Sequence, residues 1–233
     1  MIKTFLTAGL LASVFAFPAF AADLQIEEPD LIVLPDEAAD WSGFYAGVFG
    51  SYSSGTADTY TFGALGSDVR VSGPMIGATV GANAQFDNLV LGAEGDIAWS
   101  GVSGSEPCDD DPFFTCGRSI DWLSTFRGRA GLALDQALIY ATAGLAIGGV
   151  SATTDPIPVD SDGAYSGTFV GWTVGAGAEM KLTDAVSVRA EYAYTDLGEH
   201  ALPEGSIYSF PPDAGASLHP TLHTVKLGLN FAF

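Results

Sequence analysis

The sequence predicts an all-β protein, an eight-stranded antiparallel up-and-down transmembrane β-barrel with short periplasmic turns and long extracellular loops. Three observations predict this fold. Segments of about ten residues alternate apolar and polar side chains, which is the pattern of membrane-spanning strands. Tight turns alternate with long connections along the chain. The composition is 48% hydrophobic but only 15% charged, whereas soluble domains carry about 25% charged residues.

The N-terminus has the features of a secretory signal peptide. A positive Lys3 precedes a short apolar run, and residues 19–21 read Ala-Phe-Ala, a signal-peptidase pattern. We therefore expect a signal peptide over 1–21. Residues 22–40 are acidic and aperiodic, which predicts a flexible periplasmic leader before a barrel over 41–233. A retained membrane helix is the alternative, but the apolar run is shorter than the roughly 18 residues that such a helix needs.

The clearest strand is Met75–Phe86. Ile76 and Val80 fall on one face, and Thr79 and Asn83 fall on the other. Strict alternation indicates a strand whose two faces meet different solvents. The apolar faces of the later runs contain Leu91 and Ile97; Ile120, Trp122 and Phe126; Ile139 and Leu145; Val170 and Trp172; Tyr192 and Tyr194; and Val225 and Phe231.

Energy decides which face of these strands meets lipid. The basic residues of the opposite faces include Arg127, Arg129, Arg189 and Lys226. A slip by one residue would turn them toward lipid, at a cost of about 2–4 kcal/mol for each at the midplane. The apolar faces are therefore predicted to face lipid. A soluble β-sandwich or lipocalin-like barrel would reverse the faces and is the alternative fold. The first run, over 41–53, carries aromatic residues on both faces, and its direction is left open.

The connections between the strands alternate between short and long. Tight turns are predicted at Asp87-Asn88, Asp135-Gln136 and Thr183-Asp184. Long connections are predicted near 54–72, 100–118, 151–167 and 198–219. Because outer-membrane barrels place short turns in the periplasm and long loops outside the cell, both chain ends are expected in the periplasm.

A series of motifs, in a fixed order along the chain, resembles a known family. The motifs are Trp41-Ser-Gly-Phe-Tyr-Ala-Gly, Gly92-Ala-Glu-Gly-Asp, Arg127-Gly-Arg, Tyr140-Ala-Thr-Ala-Gly, Gly171-Trp-Thr-Val-Gly-Ala-Gly, Ala190-Glu-Tyr-Ala-Tyr-Thr-Asp-Leu-Gly and His223-Thr-Val-Lys-Leu-Gly-Leu-Asn-Phe-Ala-Phe. The sequence resembles the small porin-like outer-membrane β-barrel proteins of α-proteobacteria, which are of the surface-antigen type. The resemblance implies an eight-stranded barrel in the outer membrane of a Gram-negative bacterium, with the terminal Phe233 recognised by the barrel-assembly machinery. Its members are described as envelope-structural proteins, antigens, small porins and haem binders, so the resemblance implies no single activity.

Charged side chains of both signs are predicted to line the lumen. The predicted network consists of Glu94, Asp96, Arg127, Arg129, Glu179, Lys181, Arg189, Glu191 and Lys226. A mixed and nearly balanced cluster predicts a salt-bridged plug, although paired carboxylates also serve in acid/base catalysis. We predict the structural role, with no catalytic residue and no enzymatic activity.

Cysteine and histidine are the other candidate site residues. Cys108 and Cys116 lie in a predicted surface loop, where an even cysteine count in an oxidising compartment predicts a disulfide; a reactive thiol pair is the alternative. The aspartates of 109–111 either collect divalent cations or are solvated loop charges. His219 and His223 could share a strand face, but two ligands do not make a metal site. No metal and no cofactor are predicted.

These features predict a structural or surface-interaction protein of the cell envelope with a nearly closed lumen, because eight strands enclose only enough space for side chains. The alternatives are a small porin, which inward glycines would favour, and loop-mediated binding of a ligand such as haem. The expected partners are outer-membrane lipid and lipopolysaccharide, the barrel-assembly machinery, and extracellular partners reached through the loops. The net charge of −20 argues against nucleic acid, which needs a basic surface.

Overall fold

The structure is a computed structural model that describes residues 39–61, 64–108, 112–155, 163–203 and 216–233. The predicted signal peptide and all but the last two residues of the predicted leader lie outside the described residues. The barrel belongs to a compact unit that spans Ala38–Phe233. Within the described ranges, no helix combines the length and the apolar character needed to cross a membrane.

Eight of the nine strands in the described residues form a closed antiparallel ring. The strands are β1 (Gly43–Thr61), β2 (Ala64–Phe86), β3 (Leu89–Pro107), β4 (Thr115–Leu134), β5 (Ala137–Asp155), β6 (Ala164–Lys181), β7 (Val186–Asp196), β8 (His200–Leu202) and β9 (Ala216–Ala232). Each strand from β1 to β6 pairs with the next, β7 pairs with β9, and β9 pairs with β1 to close the ring. The short β8 pairs with the extracellular end of β9, at Ala216–Leu218. The predicted fold class is therefore confirmed.

The predicted tight turns are confirmed at the periplasmic end. Asp87 and Asp135 each adopt a φ of 53°, a left-handed conformation that aspartate tolerates better than most residues because its short side chain can hydrogen-bond locally. The turn between β6 and β7 is closed by the Val186 amide, which donates to Thr183 Oγ1 over 3.1 Å. These turns set the registers of three hairpins.

Two of the predicted long connections, 54–72 and 100–118, are corrected, because paired strands continue through most of both. Of the predicted connections 151–167 and 198–219, residues 156–162 and 204–215 lie outside the described residues. β1 and β2 run without a break to Thr61 and from Ala64. β3 extends to Pro107 and β4 begins at Thr115, so most of 100–118 is strand. The sequence suggested loops because the polar side chains of these segments form the outward face of strands that stand in water rather than in lipid.

The outward face of β2 shows where lipid gives way to water. Ile76 and Val80 face outward and are 67% and 62% exposed, and Arg70 is exposed on the same face. On the inward face the polar Thr79 lies on the periplasmic side of Pro74, in the lower part of the barrel, whereas the apolar Val69 lies on the extracellular side, in the upper part. The polarity of both faces thus reverses near Pro74. At 3.3 Å per residue and a tilt near 40°, the apolar band from Ile76 to Phe86 spans about 25 Å, and β2 continues about 25 Å from Pro74 to Ala64.

A β-bulge reverses the facing of the upper part of β4. The register of β4 against β5 shifts between Ile120 and Trp122, and an extra residue of this kind exchanges the two faces of a strand. Ile120 is consequently buried inside the barrel, and Asp121 is exposed. The predicted outward position of Ile120 was therefore wrong, and the bulge also turns Arg118 inward.

The sequence left open which face of the first strand points into the barrel, and the structure shows that two of its aromatic residues point inward. Tyr45 and Phe49 are buried in the lumen, while Phe44 and Val48 face lipid. Strand β1 itself begins at Gly43. Trp41 lies before the strand and is buried among apolar side chains at the periplasmic end.

Candidate functional site

Arg127 is the centre of a buried network of charges in the lower half of the lumen. Its Nη2 donates to Glu94 Oε1 and, over 2.8 Å, to Asp96 Oδ2, and its Nη1 donates to Glu191 Oε1 over 2.6 Å. Glu94 and Arg127 are direct cross-strand partners of β3 and β4, whereas Glu191 reaches Arg127 from β7 across the lumen. The Arg127 side chain is 1% exposed, so these ion pairs exclude water.

Basic residues on β7 and β9 complete the network from the opposite wall. Arg189 donates to Glu94 Oε2, and its Nη2 lies 3.6 Å from Asp96 Oδ1. Lys226 Nζ donates to Asp96 Oδ2 over 2.6 Å. Glu94 and Asp96 are therefore held from both sides of the barrel, which ties the two walls together through the lumen.

A second ion pair lies nearer the periplasm. Arg129 donates to Glu179, and the guanidinium carbon of Arg129 lies 3.8 Å from the centre of the Tyr140 ring. Glu179 also accepts hydrogen bonds from Ser187 Oγ and, over 2.8 Å, from Asn230 Nδ2. All of these residues are buried.

The structure brings together eight of the nine residues predicted for the lumen network. We call this set the charge layer: Glu94, Asp96, Arg127, Arg129, Glu179, Arg189, Glu191 and Lys226. Four acids face four bases, so the layer is neutral as a whole. The structure places Lys181 outside it. Because Lys181 ends β6 at the periplasmic mouth, its Nζ donates to the Asp40 carbonyl over 2.6 Å instead.

Apolar side chains fill the lumen above the charge layer. We call this set the apolar layer: Val69, Val71, Val102, Ile120, Val150, Ala152, Phe169, Leu218 and Leu222. They come from six strands and are all buried. The layer lies in the part of the barrel that extends beyond lipid, where the inward face is the side away from water. The sequence of these segments also alternates between apolar and polar residues. Here the apolar residues face inward, whereas in the membrane-spanning part they face lipid.

Arg118 is a buried base that the sequence did not reveal. Its guanidinium donates to Thr59 Oγ1 over 3.0 Å, to the Thr153 carbonyl over 3.3 Å and to the Gly117 carbonyl over 2.8 Å. Among the described residues it has no carboxylate partner. Burial in the apolar layer lowers the pKa of Arg118 to about 10, since removal from water disfavours the charged form.

Cys108 and Cys116 lie at the end of the β3–β4 hairpin. Their sulfur atoms are 2.05 Å apart, and both side chains are buried against the apolar layer. Residues 109–111 lie outside the described residues. Phe113 is 74% exposed beside the disulfide, so the hairpin end has a covalently closed base and an exposed aromatic tip.

Each of the three histidines has a contact of its own. His219 Nε2 is 2.8 Å from Asp196 Oδ1, and His223 Nδ1 is 2.6 Å from the Tyr192 hydroxyl. The His200 ring stacks on Phe169, with ring centres 4.3 Å apart. His219 and His223 do share the outward face of β9, but in the described part of the chain no three His, Cys, Asp or Glu side chains are arranged to hold a metal.

A closed antiparallel ring with a lipid-facing apolar band and paired charges in its lumen defines an integral β-barrel of the outer membrane. Residues 7–233 match the family described as outer membrane protein beta-barrel domain, and the chain belongs to this family. The predicted family and the predicted location in the outer membrane of a Gram-negative bacterium are thereby confirmed.

Proteins similar to this chain occur in α-proteobacteria. The chain is 31% identical to the 31 kDa outer-membrane immunogenic protein of Brucella melitensis, covering 96% of this chain and 97% of the relative. It is 36% identical to the 22 kDa outer membrane protein of Rhizobium leguminosarum, covering 82% and 84%. Among solved structures it is similar to Neisserial surface protein A, with 14% identity, 82% and 98% coverage and a TM-score of 0.44. The family and the two α-proteobacterial relatives support a surface-antigen barrel with a structural or surface-interaction role in the outer membrane.

Proposed function

We propose that the protein is a closed, non-conducting anchor that holds a rigid β-sheet extension above the outer membrane as an interaction surface. One observation carries this proposal: the lumen is filled by two buried layers of different chemistry, the charge layer below and the apolar layer above. Water or ions crossing the barrel would have to disrupt both. Eight strands leave little more than side-chain volume in the lumen, and these side chains use it.

The extension supports an interaction role because it is ordered sheet rather than loose loop. β1 and β2 remain paired from Ser53 opposite Gly73 up to Thr61 opposite Ala64. A surface held by ladder hydrogen bonds loses little conformational entropy when a partner binds. The extracellular partners expected from the sequence would therefore meet the outward faces and tips of these hairpins.

A small porin is the competing function, and conductance distinguishes the two. In planar bilayers we expect the refolded protein to give no steady current. Because the layers lie in series, Arg129→Ala in the charge layer and Phe169→Ala in the apolar layer should each remain closed. The double variant should conduct if both layers seal the lumen. A steady current through the unmodified protein would overturn the proposal and support the porin.

We infer that the lumen carboxylates have structural rather than catalytic roles. The named relatives are outer-membrane immunogenic proteins. Each of the four carboxylates in the charge layer accepts from a guanidinium or an ammonium. A general acid or base needs access to a substrate proton, whereas these groups are buried against fixed cations.

Assembly is proposed to depend on Phe233. The Phe233 amide donates to the Phe44 carbonyl over 3.0 Å, while its side chain is exposed at the periplasmic end. An exposed terminal aromatic is open to the assembly machinery. Deleting Phe233 should therefore reduce the amount of folded barrel in outer membranes, measured by heat-modifiable gel migration. Unchanged levels would show that sorting uses another signal.

A further inference from the structure

The sheet of the extracellular extension has an opening on one side of β6. Strand β6 pairs with β5 from Ala164, opposite Thr153, down to its periplasmic end. On its other side it pairs with β7 only from Trp172, which lies opposite Asp196. Within the described residues, no strand pairs with that side of Ala164–Gly171, and we call this stretch the open edge.

Two residues explain why the ladder of β7 stops below the open edge. Gly198 adopts a φ of 73°, a left-handed conformation that turns an extended chain out of its ladder. Pro220 on β9 accepts a hydrogen bond from the Leu197 amide over 3.0 Å, but it has no amide with which to donate in return. The chain resumes pairing with β9 at His200, opposite Leu218, as the short β8.

The open edge offers main-chain donors and acceptors in a regular row. The Val170 amide points away from β5 and donates to His200 Nε2 over 3.3 Å. Because main-chain groups alternate in direction along an antiparallel strand, the amides and carbonyls of Ser166 and Thr168 also point away from β5. Such a row is the template to which another strand can add.

The open edge lacks the features that normally prevent strand addition. Natural edges are blunted by lysine, by other charged side chains or by proline, and residues 164–171, Ala-Tyr-Ser-Gly-Thr-Phe-Val-Gly, contain none of these. The edge is also held in place, because Phe169 is buried in the apolar layer and stacks on the His200 ring. A preformed edge loses little conformational entropy when a strand adds to it.

The charges beside the open edge favour a cationic partner. Asp121 and Asp155 are exposed on the neighbouring strands β4 and β5, and Glu199 is exposed just before β8. Arg70, the outward-facing base of the described extension, lies on β2. Two open edges of this chain would bring like charges together and repel each other. A second copy is therefore disfavoured, and a strand with cationic outward side chains is favoured.

We propose that the open edge binds an extended cationic peptide by strand addition. The proposal rests on the interaction role proposed above and gives that role a partner of stated chemistry. Main-chain hydrogen bonds to Ser166 and Thr168 would supply the pairing, and the alternating side chains of the peptide would supply the specificity. Its outward side chains would be cationic, near Asp155 and Glu199, and its inward side chains would be apolar, toward the apolar layer.

Amide hydrogen exchange followed by NMR tests the pairing residue by residue. Protein purified from outer membranes would be placed, one copy per disc, in phosphatidylcholine nanodiscs, which carry no net charge. The probe is a heptapeptide of alternating Lys and Val with capped ends. It should bind with an affinity of roughly 100 μM order and slow the exchange of the Ser166 and Thr168 amides. The Gly167 amide points toward β5 and should exchange as before.

Variants and a second peptide separate strand pairing from attraction between charges. Thr168→Pro removes an amide from the open edge without removing a bond to β5, so it should weaken binding about tenfold or more. Thr168→Ala keeps the amide and is the matched control, which should bind normally. A heptapeptide with Glu in place of Lys should also bind about tenfold more weakly or worse. Gel migration would verify that each variant is folded.

The outcomes that would overturn the proposal are distinct. Equal binding to Thr168→Pro and Thr168→Ala would show that charge alone holds the peptide. Slow exchange of the Ser166 and Thr168 amides before peptide is added would show that the edge is already covered, and slow exchange only in discs with two copies would identify a second copy as the occupant. If no peptide binds while the barrel stays closed in planar bilayers, the cationic partner is wrong and the closed anchor stands.

Discussion

Removing Arg129 gives the most direct measure of how dry the lumen is. Arg129→Met keeps most of the side-chain volume but deletes the guanidinium that donates to Glu179. Glu179 then keeps only Ser187 and Asn230 as partners and is left as a buried, uncompensated charge. Breaking a buried ion pair in this way costs about 3–5 kcal/mol. We expect Arg129→Met to lower the free energy of unfolding by this amount.

A double-mutant cycle separates the pair from its surroundings. Glu179→Gln alone leaves Arg129 uncompensated and should cost about as much as Arg129→Met. The double variant contains no unpaired charge, so its stability should return to within about 2 kcal/mol of the unmodified protein. Such strong coupling is expected only where the two side chains are removed from water.

Urea unfolding from phosphatidylcholine vesicles, followed by tryptophan fluorescence, would supply the free energies. Arg70→Met is the matched control, because Arg70 pairs with Glu106 over 3.1 Å but its side chain is 81% exposed. An exposed pair contributes only about 0–1 kcal/mol. If Arg129→Met cost no more than Arg70→Met, the lumen would be wet and the argument for a closed barrel would fail.

Three further predictions test other parts of the structure. Val80→Lys should lower the free energy of unfolding by about 2–4 kcal/mol, whereas Ser72→Lys on the same face of β2 should lower it by about 0–1 kcal/mol. The same urea titration measures both, and equal losses would show that the lipid boundary does not lie near Pro74. Arg118→Met should leave stability unchanged or raise it by about 1–3 kcal/mol, because it removes a buried charge without a carboxylate partner, and a large loss would reveal a partner. Reduction of the Cys108–Cys116 disulfide should loosen the β3–β4 hairpin, where ring closure contributes roughly 2–3 kcal/mol, without unfolding the membrane-spanning strands. Protease cleavage confined to the hairpin would verify this prediction, and unfolding of the whole barrel would contradict it.

The membrane-spanning half of the barrel could be predicted from the sequence because its two faces meet very different environments. Lipid rejects Arg127 and Arg129 so strongly that their inward facing follows from the pattern alone. The tight turns at Asp87 and Asp135 then fixed which strands are neighbours. A cross-strand pair such as Glu179 and Arg189 follows from the register of the tight β6–β7 hairpin. Glu94 and Arg127 lie on β3 and β4, which the longer extracellular connection joins, so their pairing needed the structure.

The upper half could not be predicted with the same rule, because its faces have the opposite polarity. Val69 and Phe169 point inward there, whereas apolar residues of the spanning part point toward lipid. The bulge at Ile120 adds a second reversal that no alternation pattern marks. Lys181 was assigned to the lumen because its side chain falls on the inward face of β6. It lies at the periplasmic end of that strand, so it contacts the Asp40 carbonyl and not the charge layer.

The distribution of basic residues connects the closed lumen to the character of the outer surface. The chain contains eight Lys and Arg residues, of which Lys3 belongs to the predicted signal peptide. Four of the remaining seven neutralise the acids of the charge layer, Arg118 lies in the apolar layer, and Lys181 lies at the periplasmic mouth. Only Arg70 faces outward on the described extension, and it is paired with Glu106. The exposed acids of the described extension, such as Asp121, Asp155 and Glu199, therefore have few bases to balance them. Mutual repulsion between such surfaces keeps a sheet that stands in water soluble and apart from its neighbours. The same placement of bases thus closes the barrel inside and keeps its outer surface acidic.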